Sequence, residues 1–195
     1  MNWLAHLWLG GDEALLRIGN LMGDFVRGID LDGLHPELRR GVHMHRSVDG
    51  FTDAHPDFRR SRARLQPRWR HWSGLLVDVA YDHLLARDFE HWTGEPLDAF
   101  VDGVHADLDA HRELLSPSLR RAAPQIMAAD LLRAYRTRAG VAGALRSLGR
   151  RARRDPGLEA AAATIHEHDA GLAEDFADFF PQLRDHAAHV RRADV

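Results

Sequence analysis

The sequence predicts an all-α protein, a bundle of helices, and three observations support that fold class. Apolar residues recur at helical spacing, most clearly from Leu75 to Leu85. No segment alternates apolar and polar residues as a half-buried strand does, and no Asn-Gly or Asp-Gly turn joins two such segments. Glycines and prolines fall between the periodic segments, where helices end. At 195 residues the chain suits one domain, residues 1–195, whose core needs no disulfide.

The periodic segments and the breakers between them define the elements in chain order. The first segment is apolar on every side apart from Asn2 and His6, and it should therefore be buried. Asp12 is placed to cap the second helix and Asp155 the last one, with Pro156 then at the first helical position. The predicted helices cover residues 2–10, 12–28, 36–53, 55–66, 69–92, 96–114, 117–122, 125–137, 140–152 and 156–188. The breakers are Gly10-Gly11, Gly28, Gly33, Pro36, Pro56, Pro67, Gly94, Pro96, Pro117, Pro124, Gly140, Pro156 and Pro181.

Composition excludes several functional classes. The net charge of −3 argues against a general nucleic-acid-binding protein. The chain has no cysteine, so neither a disulfide framework nor a thiolate zinc site can form, and any metal must be held by His, Asp, Glu or Asn. No secretory signal or membrane span is apparent, which makes a soluble cytoplasmic protein the default expectation.

All 26 basic residues are arginines, and some of them are clustered. Solvated helix faces account for most such runs, and docking of an acidic partner protein is the other interpretation. The first cluster contains Arg59, Arg60, Arg62, Arg64, Arg68 and Arg70, and the second contains Arg146, Arg150, Arg151, Arg153 and Arg154.

One segment places acidic residues inside an apolar helix. Asp78 and Asp82 are four residues apart and so share a helix face, and His83 lies one step around the helix. Carboxylates are rarely buried unless they are paired, hydrogen-bonded or bound to a metal. This helix is therefore predicted to carry a functional site, although ion pairs with neighbouring arginines would explain the two aspartates equally well.

Three further pairs repeat the same four-residue spacing near apolar stripes. Asn2 and His6 lie in the first helix, and Asn20 and Asp24 in the second. His45 and Asp49 lie in the third helix near the apolar side marked by Leu38, Val42 and Val48, whereas His43 points nearly opposite to His45.

Each of these pairs, taken alone, can be an ordinary hydrogen-bonded pair. Taken together, they would bring buried carboxylates close to one another, and such groups repel unless a cation neutralises them. The sequence therefore predicts a divalent metal site assembled from separate helices.

The motifs around these pairs resemble those of the acyl carrier protein phosphodiesterase family. The resemblance covers essentially the whole chain, and the first 90 residues carry its specificity. The motifs are Asn2-x-Leu4-Ala5-His6-Leu7, Gly19-Asn20 with Asp24-Phe25-Val26-Arg27-Gly28, Gly41-Val42-His43-Met44-His45-Arg46 with Asp49 and Thr52-Asp53, and Asp78-Val79-x-x-Asp82-His83.

The resemblance implies a fold and a reaction. The family is considered distantly similar to HD-type metal-dependent phosphohydrolases, although the adjacent pair here is Asp82-His83, in reverse order. The implied reaction is hydrolysis of the phosphodiester that joins 4′-phosphopantetheine to a serine of acyl carrier protein. The implied cofactor is Mn²⁺ or Mg²⁺, and the implied partner is the acidic carrier protein.

Under this hypothesis the candidate residues have three roles. His43, Arg46 and Asn20 are candidates for proton transfer, phosphate contact and orientation of ligands or water. Arg59, Arg60, Arg62 and Arg64 are candidates for docking the carrier protein. The candidate metal ligands are His6, Asp24, His45, Asp49, Asp78, Asp82 and His83.

Two other functions fit the same residues. One is an HD-like phosphohydrolase of a nucleotide or another small phosphoester. The other is a non-catalytic helical module that binds an acidic partner through its arginines.

Overall fold

A computed structural model describes residues 1–152 and 156–193, and every regular element in these two ranges is helical. The all-α prediction is therefore confirmed. Short 3-10 turns occur at Gly23–Phe25, Leu31–Gly33, Arg70–Trp72, Arg112–Leu114 and Leu158–Ala160. The α-helices are α1 (Trp3–Leu9), α2 (Ala14–Met22), α3 (Pro36–Ala54), α4 (Pro56–Trp69), α5 (Ser73–Arg87), α6 (Phe89–Thr93), α7 (Leu97–Ala110), α8 (Pro117–Ala128), α9 (Leu131–Ala134), α10 (Arg138–Arg151), α11 (Ala161–Glu167) and α12 (Asp169–Ala193).

Helix α1 lies in the hydrophobic core and packs against α2, α5 and α12. Leu4, Leu7 and Leu9 on different sides of this helix are all buried, as expected for a segment that is apolar all round. His6 is completely buried as well, so its polar atoms must find partners inside the protein.

Helices α2 and α3 cross at two glycines. A Cβ added at Gly41 would lie 2.6 Å from the Cα of Gly19, and a Cβ added at Gly19 would lie 2.9 Å from the Cα of Gly41. Because neither residue has a side chain, the two backbones can approach far more closely than helices usually do. This crossing brings Asn20 of α2 against His45 of α3.

A buried ion-pair network attaches α12 to α4. The Asp175 carboxylate, which is 1% exposed, accepts hydrogen bonds from Arg60 Nε at 2.5 Å and Arg64 Nε at 3.0 Å. The Ser61 hydroxyl donates to the same carboxylate at 2.8 Å and also lies 2.9 Å from the Tyr81 hydroxyl of α5. The network satisfies a carboxylate that would otherwise be buried without a partner.

Several predicted helix boundaries are wrong. The second helix ends at Met22 rather than residue 28, because Gly23–Phe25 forms a 3-10 turn, and it begins at Ala14 without a side-chain cap from Asp12. The segment 69–92 begins with a 3-10 turn and is broken near Asp88, and the segment 156–188 is divided into a 3-10 turn, α11 and α12. Asp155 lies outside the described residues.

Three prolines lie within helices instead of ending them. Pro67 lies in α4, Pro124 in α8 and Pro181 in α12. A proline removes one backbone N–H and crowds the preceding turn, which is a cost that packing can outweigh. In α8 the neighbours Ala123 and Ile126 are buried, so tertiary contacts keep this helix continuous through Pro124.

Across the described ranges, no helix combines the length and the apolar character needed to cross a membrane.

Candidate metal centre

Two histidines and one aspartate meet between α1, which carries His6, and α3, which carries His45 and Asp49. His6 Nε2 lies 3.1 Å from Asp49 Oδ1, and His45 Nε2 lies 3.1 Å from Asp49 Oδ2. The two imidazole rings stack with their centroids 4.0 Å apart. One ligand atom from each of these three residues falls within 4.8 Å of the others, which is the spacing needed to surround a single ion. We call these residues the His6–His45–Asp49 cluster.

The second nitrogen of each ring is held by Asn20. His6 Nδ1 lies 2.9 Å from the side-chain Oδ1 of Asn20, and His45 Nδ1 lies 2.8 Å from the backbone oxygen of Asn20. Because carbonyl oxygens only accept hydrogen bonds, both Nδ1 atoms must donate. In a neutral imidazole this leaves the lone pair on Nε2, directed at Asp49.

This arrangement needs a positive charge at its centre. Two nitrogen lone pairs and a carboxylate that face one another at 3.1 Å repel unless a proton or a metal cation lies between them. Oriented imidazoles beside a carboxylate are also a usual donor set for a first-row divalent ion. The residues therefore fit the metal that the resemblance implies.

The pKa values reflect the same charge balance. Burial by itself would raise the pKa of Asp49, but its interactions with His45 and His6 outweigh burial and hold that pKa well below the usual range. Burial lowers the pKa of His6. For His45 burial also acts to lower the pKa, yet Asp49 and Asp24 together raise it. The cluster thus keeps an ionised carboxylate that can bind a cation.

Asp24 lies at the edge of the cluster. Its Oδ1 is 3.6 Å from His45 Nε2, and its Oδ2 accepts a hydrogen bond from the indole N–H of Trp3 at 2.9 Å. The Asp24 side chain is 47% exposed, so it faces solvent as well as the cluster. This residue can add a fourth ligand or hold a water molecule.

Asp78 faces the same region from α5. Its Oδ1 lies 3.1 Å from the α-amino nitrogen of Met1, and that nitrogen is 3.6 Å from Asp49 Oδ1. Burial acts to lower the pKa of the amine, but the charges of Asp78 and Asp49 raise it to about 10. A positive group therefore joins Asp78 to the cluster.

Asp82 and His83 are not brought to the cluster. The Asp82 carboxylate accepts hydrogen bonds from the backbone N–H groups of Leu4 at 2.8 Å and Ala5 at 3.2 Å, so it caps the N-terminus of α1. Burial raises its pKa to about 7. His83 Nδ1 donates to the backbone oxygen of Tyr135 at 2.7 Å. Both side chains therefore join α5 to other segments. They miss the cluster because Asp82 lies one helical turn beyond Asp78 and His83 is rotated about 100° from Asp82.

His43 and Arg46 lie on the exposed side of α3. Neither lines the cavity beside the cluster. His43 points nearly opposite to His45 on the helix, as predicted. Arg46 is rotated about 100° from His45. The structure therefore does not bring these two candidates to the metal ligands, whereas Asn20 contacts both histidines.

A cavity of ≈ 420 Å³ opens beside the cluster. Four carboxylates line it, those of Asp24, Asp49, Asp53 and Asp78. A cavity with this acidic lining would repel a phosphate group, so it can bind a phosphodiester only after a cation has bound. Its volume suits a small group such as the phosphodiester and the atoms next to it.

Two residues of this site belong to none of the predicted pairs. Trp3 orients Asp24, and Gly23 leaves room for the His45 ring, since a Cβ at position 23 would overlap ring atoms of His45. A tryptophan in an apolar segment gives no signal of a long-range hydrogen bond. The glycine just before Asp24 was an available signal, because a glycine often marks a close approach.

The four arginines predicted to dock a partner have different surroundings. Arg60 and Arg64 bind Asp175 and so help to hold α12. Arg59 Nε donates to the backbone oxygen of Asp53, a cavity residue, at 3.1 Å. Arg62 lies beside Gly74, with its Nε 3.6 Å from the position of a Cβ there, and Gly74 precedes the cavity residue Leu75.

The second arginine cluster is only partly described. Arg146 pairs with Glu159 at 2.5 Å, and Arg150 is exposed. Arg153 and Arg154 lie outside the described residues, as does the side chain of Arg151.

Comparisons with known proteins identify the family of the chain. A family model described as acyl carrier protein phosphodiesterase matches residues 1–183. The chain is 31% identical to the acyl carrier protein phosphodiesterases of Salmonella agona and Salmonella paratyphi A over 194 residues, which cover 96% of this chain and 98% of each relative. It is 39% identical to that of Pectobacterium atrosepticum over 115 residues, 56% of this chain and 57% of the relative. No solved structure matches the chain, so the likeness to HD-type phosphohydrolases stays a prediction. The chain belongs to the acyl carrier protein phosphodiesterase family.

Proposed function

We propose that this protein hydrolyses the phosphodiester between 4′-phosphopantetheine and the serine of acyl carrier protein, with a divalent metal at the His6–His45–Asp49 cluster. The observation that carries the proposal is the pair of buried Nε2 atoms directed at one carboxylate, that of Asp49, beside a cavity lined by further carboxylates. Membership of the family supplies the reaction and the substrate, and the cluster supplies the chemistry. Residues 1–195 would form a single phosphodiesterase domain.

The metal would be held by His6, His45 and Asp49, with Asp24 as the next donor. Two imidazoles suit a first-row ion better than they suit Mg²⁺, so Mn²⁺ is the first choice. When bound, the ion would polarise the phosphate oxygens and lower the pKa of a water molecule.

The chain's own residues prepare the site for that chemistry. Asn20 holds both histidines through their Nδ1 atoms and keeps Nε2 free to bind. Trp3 holds Asp24 at the rim, where its outer oxygen can accept a hydrogen bond from the attacking water. Asp78 of α5 also lines the cavity. Asp82 contributes indirectly, because it caps the helix that carries His6.

The carrier protein would dock beside the cavity on α4. Arg59 and Arg62 lie next to cavity residues, and within the described residues no carboxylate forms an ion pair with either of them. Their charges are therefore available to an acidic partner. Arg60 and Arg64 extend the same positive surface, but part of their charge is already neutralised by Asp175. The substrate implies a cytoplasmic location and a role in fatty acid metabolism, and both are part of the proposal.

The direct test is release of 4′-phosphopantetheine. The purified protein, treated with a chelator and then given Mn²⁺, Mg²⁺ or no metal, is incubated with holo-carrier protein and, in parallel, with nucleotides. Mass spectrometry should detect free 4′-phosphopantetheine and an apo-carrier protein only when a metal is present. Hydrolysis of nucleotides with no release from the carrier would contradict the proposed substrate. Full activity without metal would contradict the role of the cluster.

A further inference from the structure

A neutral groove continues from the acidic cavity along α9 and α10. Asn2, Trp3 and Leu148 line both the cavity and a small neck of ≈ 20 Å³. Leu131, Ala144 and Ser147 line both that neck and an outer groove of ≈ 350 Å³. Because neighbouring compartments share lining residues, the cavity, the neck and the groove lie next to one another along one path.

The two ends of this path differ sharply in charge. Four aspartates line the cavity. Among the described residues, no aspartate, glutamate, arginine or histidine lines the neck or the outer groove. In a chain of which 28% of the residues are charged, an uncharged surface of this size indicates contact with a neutral partner.

A phosphodiester of the carrier protein has two arms of different character. One arm is the serine of a folded acidic protein. The other is the pantetheine chain, which is linear and uncharged, with one hydroxyl, two amides and a terminal sulfur. We propose that the neck and the outer groove bind the pantetheine arm, and this inference rests on the proposed function. The serine arm would then leave the cavity on the side of Arg59 and Arg62.

The dimensions of the path suit this arm. Fully extended, pantetheine is about as long as five extended residues, roughly 17 Å. Along α10, Gly140 and Ser147 are separated by a rise of roughly 10 Å, and the neck and the cavity add further length. The neck itself holds only ≈ 20 Å³, so the arm would lie over its lining residues rather than inside it.

The groove also offers hydrogen bonds of the right kind. Ser147 and Gln125 are exposed, and both can donate to or accept from an amide. Asn2 donates to the Tyr135 hydroxyl at 2.6 Å at the neck, which places polar atoms between the charged cavity and the apolar groove. Ile126 and Leu131 supply apolar surface for the methyl and methylene groups of the arm.

Gly143 allows the groove to be blocked without disturbing the fold. It lines the groove, and a Cβ built there meets no atom within 4 Å. A leucine would project into open space, and in a helix it is favoured over glycine. Gly143→Ala is the matched control, because it makes the same backbone change and adds only a methyl group.

The experiment measures two substrates and one ligand. For Gly143→Leu we expect kcat/KM for holo-carrier protein to fall about tenfold or more, mainly through KM, while hydrolysis of a small aryl phosphodiester is unchanged. Calorimetry should also show weaker binding of free 4′-phosphopantetheine, and Gly143→Ala should resemble the wild type in all three measurements.

The outcomes separate this inference from the proposed function. Unchanged turnover of holo-carrier protein and unchanged binding of 4′-phosphopantetheine in Gly143→Leu would overturn the groove assignment and leave the phosphodiesterase intact. A wild-type protein that releases no 4′-phosphopantetheine would overturn the proposed function and the groove assignment with it. If Gly143→Leu loses activity on the small phosphodiester as well, then preserved binding of 4′-phosphopantetheine would contradict the assignment and weakened binding would support it.

Discussion

Gly23 packs directly against the imidazole of His45. A Cβ added at position 23 would overlap Cγ and Cδ2 of the ring and would lie 2.7 Å from the His45 Cβ. The ring is also fixed on its other side, since its Nδ1 donates to the backbone oxygen of Asn20. His45 therefore has no room to move away, and the absence of a side chain at position 23 is a condition for the geometry of the cluster.

This contact predicts that Gly23→Ala displaces His45. We expect metal-dependent activity to fall about 100-fold, because loss of a ligand's support typically costs 10- to 100-fold in metal affinity or activity. Gly50→Ala is the matched control, since a Cβ at Gly50, next to Asp49 in α3, meets no atom within 4 Å. That variant should keep full activity and be slightly more stable. Equal activity of both variants would show that the close contact has no effect on the site.

Asp49→Asn should remove metal binding. In the wild type, Mn²⁺ at 100 times its Kd should stabilise the fold by about 2.7 kcal/mol and raise Tm, because the ion binds only the folded state. Loss of the carboxylate that both histidines face should abolish this increase. Asp53→Asn is the control, since Asp53 lines the same cavity outside the cluster. An equal rise of Tm in Asp49→Asn and the wild type would place the ion elsewhere.

Charge reversal at Arg59 and Arg62 should weaken carrier docking without affecting stability. We expect kcat/KM for holo-carrier protein to fall about tenfold at low salt and to depend less on ionic strength. Hydrolysis of a small phosphodiester should not change. A loss of equal size on both substrates would mean that these residues support the fold rather than the docking.

Charge reversal at Arg60 should have a different effect. Arg60 binds the buried carboxylate of Asp175, so a glutamate there would set two negative charges against each other inside the α4–α12 contact. We expect a lower Tm and a similar fractional loss on both substrates. An unchanged Tm would contradict the structural role of this arginine.

The same network predicts how stability depends on pH. Burial would raise the pKa of Asp175, but hydrogen bonds from Arg64, Arg60 and Ser61 outweigh it, and its pKa is lowered. Because the native state holds this proton less tightly than the unfolded state, the contribution to stability is present above about pH 4 and is lost as the pH falls through the native pKa. Asp175→Asn should cost about 2 kcal/mol at pH 7 and less at low pH, because it removes charge-assisted hydrogen bonds but leaves two partly exposed arginines that water can solvate. Denaturant unfolding at several pH values measures both, and a cost that does not shrink with acid would contradict the ion pairing.

Local patterns in the sequence were enough for the fold class and for part of the site. The apolar surround of Asn2 and His6 correctly indicated a buried helix, because a helix without a polar face cannot be stable in water. The spacing of His45 and Asp49 correctly placed them on one face of α3, because the helical repeat determines which residues are neighbours. The family motifs were recognisable for the same reason, since they are short, local and in a fixed order.

The boundaries of the helices were harder to predict from the sequence. A proline at position 124 predicts the end of a helix when only local sequence is considered. Helix α8 nevertheless continues through Pro124, because the neighbouring residues Ala123 and Ile126 are buried. The long segment at the end of the chain has a continuous helical period, yet it is interrupted at His168, between α11 and α12. In both regions, packing between distant segments outweighs local preference.

The sequence by itself determined that this protein is helical, that it belongs to its family and that polar pairs recur at helical spacing beside apolar stripes. Only the tertiary structure decided which pairs meet. Asp49 meets His6 because α1 and α3 both pack against α2, and the glycines of α2 and α3 let that second contact be close. Asp82 instead caps α1, and His83 contacts Tyr135. Helical periodicity specifies the direction of a side chain around its own axis, but the position of that axis among the others depends on long-range packing, which no local pattern encodes.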